Sequence, residues 1–319
     1  MTNLTAGDAG DGSNISVCLL TYNHVHLIRS TVASILEQNL PRFELIISDD
    51  CSTDGTWECI LEMAARDARI RPLQPPTNQG MPGNANFAVA HSSRPYIALL
   101  HHDDIYRQDL LDLWSGVLDR HPGAAFVFNP YGVHGSKDFQ REPLPGECID
   151  GHWLLDNYLL PRWGCLIRGT AMIRRDIWNQ VGGMRLQYGL LSDVDLWMRL
   201  AARWQVGYVD ERIMELRQER PEDYPDAYKA TRWSWPRKRF LYEIHAQNRL
   251  DYWNLGSPVG RLKWWGFRVK LSLETAKWLS YAVVRKRPEM ISESDKSATP
   301  YDLWPVRLYR SLLRALYRR

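Results

Sequence analysis

The pattern that most constrains this chain is a repeated apolar strand followed by an amphipathic helix, in which two of the strands end in paired acids. An apolar run over residues 43–48 stops at Asp49 and Asp50, and a Ser/Thr/Asp/Gly turn leads to a helix near Thr56. A second run, over residues 96–100, is followed by His-His-Asp-Asp. Because ligands of open parallel sheets bind beyond the carboxyl ends of the strands, the two acidic ends predict one binding site.

Strands and helices alternate through the first two thirds of the chain. Apolar spacing predicts further strands over 15–20, 70–73, 124–128 and 169–175, and helices over 56–66, 84–91 and 110–120. Residues 134–162 are Pro/Gly-rich and predict a long loop or inserted segment. The alternation predicts an α/β fold with a mostly parallel sheet and crossover helices. No G-x-G-x-x-G follows the first strand, which argues against the common dinucleotide-binding fold.

Charge is distributed unevenly along the 319 residues. The net charge is +3, but residues 1–228 carry −10 and residues 229–319 carry +13. Seven of the 14 tryptophans lie in the basic part. We therefore predict a disordered N-terminus over 1–13, an α/β catalytic domain over 14–228, and a basic, Trp-rich, mainly helical region over 229–319.

The N-terminus and the cysteines indicate a reducing cellular compartment. Residues 1–14 lack a charged start followed by an apolar core, so no signal peptide is predicted. The five cysteines show no paired spacing, which predicts reduced thiols and argues against a zinc site. No uncharged apolar stretch has the length of a membrane-spanning helix. We expect a cytoplasmic protein.

Asp103 and Asp104 are candidate metal ligands, because they follow a buried strand and their carboxylates suit Mn²⁺ or Mg²⁺. His101 or His102 adds an imidazole nitrogen, which Mn²⁺ accepts more readily than Mg²⁺. The alternative is an ordinary surface loop in which the acids cap a helix.

Other polar residues near the strand ends are candidates for nucleotide binding. Asp50 can accept hydrogen bonds from a base or ribose, and Tyr22 can stack on a base. Their alternatives are a turn role for Asp50 and simple packing for Tyr22, while Asn23 can be a helix cap alone. Arg174 and Arg175 end a strand and can meet phosphates, although surface arginines without such a role are more common.

Asp193 is the candidate general base, which would take a proton from an attacking hydroxyl. It follows Ser192, the predicted N-cap of a helix. The alternative is a carboxylate that only complements the helix dipole. Asp195 is expected to be a solvent-exposed or structural carboxylate that pairs with Arg199 at i,i+4.

Taken in order, these motifs resemble the family 2 glycosyltransferases, which have the GT-A fold. The resemblance covers about residues 14–218, and its specificity comes from the ordered set of motifs. The matching segments are 15–23, 48–56, Asn78-Gln79-Gly80 with Asn86, 100–106, Gly182-Gly183 and 193–199.

The resemblance implies a GT-A-type sheet flanked by helices, with a site for a nucleotide-sugar donor. It assigns nucleotide-sugar binding to Thr21, Tyr22, Asn23, Asp50, Asn86, His101, His102 and Asp103. It further implies that Asp103 binds the metal, Mn²⁺ or Mg²⁺, and that Asp193 is the catalytic base. The implied reaction is attack of an acceptor hydroxyl on the anomeric carbon with inversion, while the metal neutralises the departing diphosphate.

The chain departs from the family pattern at four positions. His101 stands where the first Asp of D-x-D is common, Ala85 replaces a frequent arginine, and Ser192 replaces an acid that often precedes the base. Lys229 stands where a glutamine begins the Q-x-x-R-W motif of processive polymerases, although Arg232 and Trp233 are present. We therefore predict transfer of a single sugar rather than polymerisation.

The end of the basic region predicts an amphipathic helix over residues 306–318. Its arginines, at 307, 310, 314 and 318, share one face, and its leucines, at 308, 312 and 316, share another. This pattern predicts an anionic membrane surface as a partner of residues 229–319, on the cytoplasmic face. The alternative is a helix packed on the α/β domain. No nucleic-acid-binding motif is present, and no nucleic-acid partner is expected.

The expected function is transfer of one sugar, from a UDP-sugar in preference to other nucleotide-sugars, to a polysaccharide or lipid-linked glycan acceptor. One alternative is a nucleotidyltransferase, which is expected to carry a glycine-rich phosphate loop that residues 21–24 do not form. The other is a non-catalytic membrane or glycan-binding module on a degenerate GT-A fold. The departures from the family pattern at His101 and Ala85 leave this alternative open.

Overall fold

The structure is a computed structural model that describes residues 14–40, 42–163, 165–217, 235–286, 290–291, 294 and 298–317. Contacts divide the chain into two units, Met1–Glu222 and Asp223–Arg319. The predicted domain bounds stay a prediction, because residues 1–13 and 218–234 lie outside the described part.

Strands and helices alternate in the first unit as the apolar spacing predicts. The strands are β1 (Ile15–Thr21), β2 (Glu44–Asp49), β3 (Ile70–Leu73), β4 (Tyr96–His101), β5 (Asp104–Tyr106), β6 (Ala124–Phe128), β7 (Tyr131–Val133), β8 (Phe139–Gln140), β9 (Cys148–Ile149), β10 (Ala171–Arg174), β11 (Gln205–Tyr208) and β12 (Met214–Leu216). The helices are α1 (Val25–Leu36), α2 (Thr56–Ala64), α3 (Gly80–Ala90), α4 (Leu110–Arg120), α5 (Gly151–Leu154), α6 (Arg175–Val181) and α7 (Ser192–Ala201). A π-helical turn covers Leu155–Leu159 and a 3₁₀ helix covers Leu186–Leu191.

The predicted α/β architecture with a mostly parallel sheet is confirmed. Within the described residues, eight strands form the main sheet in the order β3-β2-β1-β4-β10-β6-β11-β9. Strands β1 to β4 run parallel, and so do β6 and β11, whereas β10 is antiparallel to both of its neighbours. A smaller sheet has the order β5-β12-β7-β8.

The central strands of the main sheet are buried along their length, as expected for a sheet covered by helices on both faces. All residues of β1 and β6 are buried. On one helix, Trp197 of α7 packs against Phe126 with ring centroids 5.0 Å apart. On another, Trp114 of α4 is fully buried and donates its Nε1–H to Asn129 Oδ1 at 3.1 Å. This core holds the strand ends, and the polar side chains after them, on a rigid platform.

Two predicted segments differ from the structure. Helix α3 begins at Gly80 rather than at residue 84, because Gly80 turns the chain with a φ of +69° ahead of the first helical turn. Residues 134–162, predicted as a loop, contain β8, β9 and α5. These elements are two to four residues long, which is too short for apolar periodicity to reveal them.

The second unit is helical, as predicted. Its long helices are α8 (Trp235–Tyr252), α9 (Pro258–Val284) and α10 (Trp304–Tyr317). The Ser257 hydroxyl accepts the Gly260 N–H at 3.0 Å and caps the start of α9. Leu279, Ala282, Ile291 and Leu313 form a small core. None of the described helices combines the length and the apolar character needed to cross a membrane.

Helix α10 is amphipathic, but its faces are used differently from the prediction. Arg310, expected on a basic surface, is only 4% exposed and pairs with Asp302 at 3.2 Å. Leu308, Leu312 and Leu316 are exposed. The leucine face of α10 therefore points to solvent in this structure, while Arg310 is part of the unit's interior.

Candidate active site

The two acidic strand ends lie at one edge of the main sheet, because β1 lies between β2 and β4. In register, Thr21 of β1 is opposite Asp49, and Leu20 is opposite His101. The backbone N–H of Asp50 continues this ladder by donating to the Thr21 carbonyl at 2.9 Å. The ends of β2 and β4 therefore lie close together, as predicted, and the residues that follow them line the same edge of the sheet.

Asp49 folds the loop after β2. Its carboxylate is fully buried and accepts hydrogen bonds from the Ser52 N–H at 3.0 Å, the Ser52 hydroxyl, and Gln74 Nε2 at 2.9 Å. Asp54 in turn accepts from the N–H groups of Val25 and Thr56, each at 3.0 Å. Asp54 thus caps the starts of α1 and α2 together.

Asp50 connects this loop to the start of α3. Its Oδ1 accepts the Gln79 N–H at 2.7 Å, and its carbonyl accepts from Asn78 Nδ2 at 2.8 Å. Burial raises the pKa of the Asp50 carboxyl, against the lowering effect of the Gln79 and Gly80 N–H groups. The carboxylate therefore lies in a shielded position at the sheet edge.

The residues predicted to hold the nucleoside follow β1. Thr21 is 2% exposed, and its hydroxyl oxygen is buried without a hydrogen-bond partner among the described residues. The side-chain oxygen of Asn23 accepts the Thr53 N–H at 2.8 Å, and the backbone of Asn23 has a φ of +52°. Tyr22 is half-buried. Asn23 therefore supports the turn, whereas Thr21 offers a hydroxyl that a bound ligand would satisfy.

The segment after β4 brings together the groups that could hold a metal ion. His101, Asp103 and Asp104 each offer one ligand atom, and these atoms lie within 4.8 Å of one another. One imidazole and two carboxylates suit a hard or borderline divalent ion such as Mn²⁺. Burial lowers the pKa of the adjacent His102 to about 3, so this ring is neutral at physiological pH.

Two residues that sequence reasoning missed hold this segment in place. Arg217 is buried and donates to the Asp103 carbonyl at 3.1 Å and to Thr31 Oγ1 at 2.6 Å. The Thr31 hydroxyl donates to the His102 carbonyl at 2.7 Å. Because Arg217 lies more than 100 residues from Asp103 in the chain, no local pattern could have revealed this contact.

Asp193 lies next to the same segment. A Cβ added to Gly169 would be 2.7 Å from His101 Cε1 and 3.2 Å from Asp193 Oδ2, so both side chains lie against Gly169. The Asp193 side chain is half-buried, and its Oδ1 accepts the Val194 N–H at 2.8 Å. The structure thus places the candidate base next to the predicted metal segment. Both contact Gly169, which the sequence did not identify as part of a site.

Other candidate residues have structural contacts. Both ends of the Asn86 amide bond the backbone of Met184, each at 2.9 Å, so its predicted sugar-nucleotide contact stays a prediction. Asp195 is fully buried rather than solvent-exposed, and it pairs with Arg199 at 2.8 Å, as the i,i+4 spacing predicts. The predicted N-cap role of Ser192 is wrong, because its hydroxyl donates to the Arg185 carbonyl instead.

Arg174 and Arg175 lie away from this edge. Arg174 donates to the carbonyls of Ala124 and Leu118, and Arg175 donates to the carbonyls of Arg94 and Val89. The reason is that β10 runs antiparallel to β4, so its carboxyl end lies at the opposite edge of the sheet. The phosphate role considered for these arginines is therefore not supported.

The mostly parallel sheet with an antiparallel strand beside β4, and an acidic segment at its edge, defines a GT-A fold. Two comparisons with solved structures agree. TarS 1-349 of S. aureus in complex with UDP superposes with a TM-score of 0.64 at 17% identity, over 95% of this chain and 87% of that chain. The mannosyltransferase PcManGT of Pyrobaculum calidifontis, in complex with GDP-Man and Mn²⁺, gives 0.58 at 17% identity, over 96% and 82%.

Sequence comparison gives the family. The model of glycosyl transferase family 2 matches residues 16–182, and the chain belongs to this family. EpsE of Bacillus subtilis (strain 168), named as a glycosyltransferase, is 27% identical over 243 residues, which are 73% of this chain and 79% of EpsE. The family match favours a glycosyltransferase over a nucleotidyltransferase. Lys229, Arg232 and Trp233, on which the single-sugar prediction depends, lie outside the described residues.

Proposed function

We propose that this enzyme transfers one sugar from a UDP-sugar to a hydroxyl of a polysaccharide or lipid-linked glycan, with inversion at the anomeric carbon. The observation that carries the proposal is that Asp193 and His101 both lie against Gly169, at the edge where Asp50 and Asp103 follow their strands. A base and a diphosphate-binding segment must be neighbours for a direct displacement.

In the proposed reaction the acceptor oxygen bonds to the anomeric carbon as the bond from that carbon to the UDP oxygen breaks. Asp193 takes the proton of the acceptor hydroxyl, and UDP leaves with the electron pair. A divalent ion held by Asp103, with His101 and Asp104 beside it, would neutralise the charge on the leaving diphosphate. Arg217 and Thr31 keep the backbone of this segment in position.

A polar site for a nucleoside and two similar proteins support a UDP-sugar as donor. The buried Thr21 hydroxyl without a partner in the described part of the chain, together with Asp50 across the ladder, provides polar groups for a nucleoside. One of the TarS structures with this fold holds UDP-GlcNAc. A relative in Escherichia coli, named UDP-Glc:alpha-D-GlcNAc-diphosphoundecaprenol beta-1,3-glucosyltransferase WfgD, is 27% identical over 52% of this chain and 62% of WfgD. Its name also supports a lipid-linked acceptor.

A lipid-linked acceptor fits a peripheral position on the cytoplasmic face of the membrane. Of the thirteen exposed large hydrophobic side chains among the described residues, ten lie in the second unit. On α10 they are Trp304, Leu308, Leu312 and Leu316, which share one face. An exposed apolar stripe on a unit with many lysines and arginines is typical of helices that lie on anionic lipid.

The activity is tested by incubating the full chain with a panel of nucleotide-sugars and Mn²⁺ and measuring release of the nucleotide. We expect release from a UDP-sugar, and a fall of at least 100-fold in D193N with donor affinity retained. D176N is the matched control, because Asp176 is also in the first turn of a helix but is exposed on α6. Release from no donor would refute the activity, and full turnover in D193N would refute the assignment of the base.

Membrane binding is tested separately by sedimentation with vesicles of phosphatidylcholine, with and without about 30% phosphatidylglycerol. We expect binding to the anionic vesicles and its loss in L308E/L312E, because a charge on the apolar face opposes insertion. L61E is the matched control, since Leu61 is an exposed leucine of α2 in the first unit. Equal binding by both variants would contradict the proposal.

A further inference from the structure

We propose that His24, His102 and Asp103 form a second, imidazole-rich position for a divalent cation, which shares Asp103 with the carboxylate cluster described above. Each of the three residues offers one ligand atom, and the three atoms lie within 4.8 Å of one another. The family resemblance assigns metal binding to Asp103 alone. The two histidines are identified as candidate ligands by the structure of this chain. The inference concerns cation binding and does not depend on sugar transfer.

The hydrogen bonds of the two rings fix the same tautomer in both histidines. His24 Nδ1 lies 2.7 Å from the Tyr22 carbonyl oxygen, and His102 Nδ1 lies 2.9 Å from the Leu20 carbonyl oxygen. A carbonyl oxygen only accepts, so Nδ1 carries the proton in each ring and Nε2 carries the lone pair. Metal-binding histidines are held in this way, with the second nitrogen donating to a backbone carbonyl.

Burial makes this arrangement costly without a cation or a donor. The Nε2 atom of His102 is buried and accepts no hydrogen bond within the described residues. The His24 ring lies against it, with centroids 3.7 Å apart and planes 45° apart, and His24 is 1% exposed. A buried acceptor without a donor is unfavourable, and a shared cation would satisfy it and bring Asp103 into the same coordination sphere.

Backbone contacts hold this position in place before any ligand binds. The backbone N–H of His24 donates to Thr56 Oγ1 at 3.0 Å, and the His102 carbonyl accepts from Thr31 Oγ1 at 2.7 Å. Metal–nitrogen bonds are about 2.0–2.1 Å long, so two atoms bound to one ion lie at most about 4.2 Å apart, and the three ligand atoms here lie within 4.8 Å of one another.

The donor set selects the kind of ion. Two imidazoles and one carboxylate suit Mn²⁺, Co²⁺ or Zn²⁺, whereas Mg²⁺ prefers oxygen ligands and water. The position shares Asp103 with the cluster that contains His101 and Asp104. We therefore expect this chain to bind Mn²⁺ and Co²⁺ at least tenfold more tightly than Mg²⁺ in the absence of nucleotide.

The test uses the full chain without nucleotide, titrated with Mn²⁺ and studied by pulsed electron paramagnetic resonance for ¹⁴N couplings. We expect imidazole nitrogen couplings in the wild type and in H101A. We expect H24F and H102F to lose at least part of the nitrogen coupling and to bind Mn²⁺ at least tenfold more weakly. H91F is the matched control, since His91 makes the same ring-to-carbonyl contact, with Phe87, on the exposed surface.

The proposal is overturned if wild type binds no Mn²⁺, if bound Mn²⁺ shows no nitrogen coupling, or if H101A alone removes that coupling. Because H24F or H102F could fail to fold, wild-type crystals grown with Co²⁺ give an independent answer. Anomalous density within about 2.5 Å of both Nε2 atoms supports the site, and density only beside His101 refutes it. Nucleotide release in the donor panel is a separate measurement, so either proposal can fail without the other.

Discussion

Replacing Gly169 with alanine tests whether the close approach of His101 and Asp193 to this glycine matters for catalysis. The new Cβ would lie 2.7 Å from His101 Cε1, 3.1 Å from His101 Nε2 and 3.2 Å from Asp193 Oδ2. Carbon atoms in contact are about 3.5–4.0 Å apart, so the imidazole would have to move by about 1 Å. The Asp193 carboxylate would have to move less.

Two costs of this substitution can be separated. Gly169 has a φ of +82°, and an alanine there costs about 1–2 kcal/mol of stability, which lowers the melting temperature by a few degrees. The displacement of reacting groups acts on turnover instead, where about 1 Å of misplacement costs about 100-fold. We therefore expect a folded G169A enzyme with kcat/KM reduced about 100-fold.

G135A is the matched control, because Gly135 has a φ of +73° and no atom within 4 Å of its added Cβ. It should lose similar stability and keep its activity. The assay is nucleotide release with Mn²⁺, alongside thermal unfolding of both variants. Wild-type activity in G169A, or equal loss in both variants, would show that the geometry around Gly169 does not control the reaction.

Two further predictions concern buried carboxylates. D195A should lower the free energy of unfolding in urea denaturation by about 3–5 kcal/mol, because it leaves the buried Arg199 charge without its partner. E62A, which breaks the exposed pair with Arg29, should leave the free energy of unfolding nearly unchanged. For Asp50, burial raises the folded-state pKa above its usual 3.8, so the folded state binds the proton more tightly and stability falls as pH rises from about 4 through the folded pKa. The stability of D50N relative to wild type should therefore increase over that range in thermal unfolding, and a constant difference would contradict the buried position of this carboxyl.

Much of the fold follows from local sequence. The strands β1, β2, β3, β4 and β6 are apolar runs that end at turn residues or acids, and the helices between them have amphipathic spacing. Because crossover connections make such strands parallel, the acids after β2 and β4 had to lie at one edge. The sequence therefore determined the α/β architecture and the place of Asp50 and Asp103.

The direction of β10 was decided only by tertiary structure. A strand carries no local signal for running parallel or antiparallel to a distant partner, because its periodicity is the same in both cases. Since β10 is antiparallel, Gly169 lies beside Asp193 and His101, and Arg174 lies at the far edge.

Side-chain partners are likewise a property of the assembled fold. Asn86 contacts the backbone of Met184, which lies 98 positions away in the chain. Arg217 contacts the backbone of Asp103, 114 positions away, and Asp195 pairs with Arg199, 4 positions away. Only the 4-residue separation, between Asp195 and Arg199, could be predicted, since helix geometry brings those two side chains together. Histidines after both β1 and β4 were a usable signal for the pairing of His24 with His102, because neighbouring parallel strands end side by side. Local periodicity thus determined where polar residues stand along the sheet edge, and long-range packing decided which of them meet.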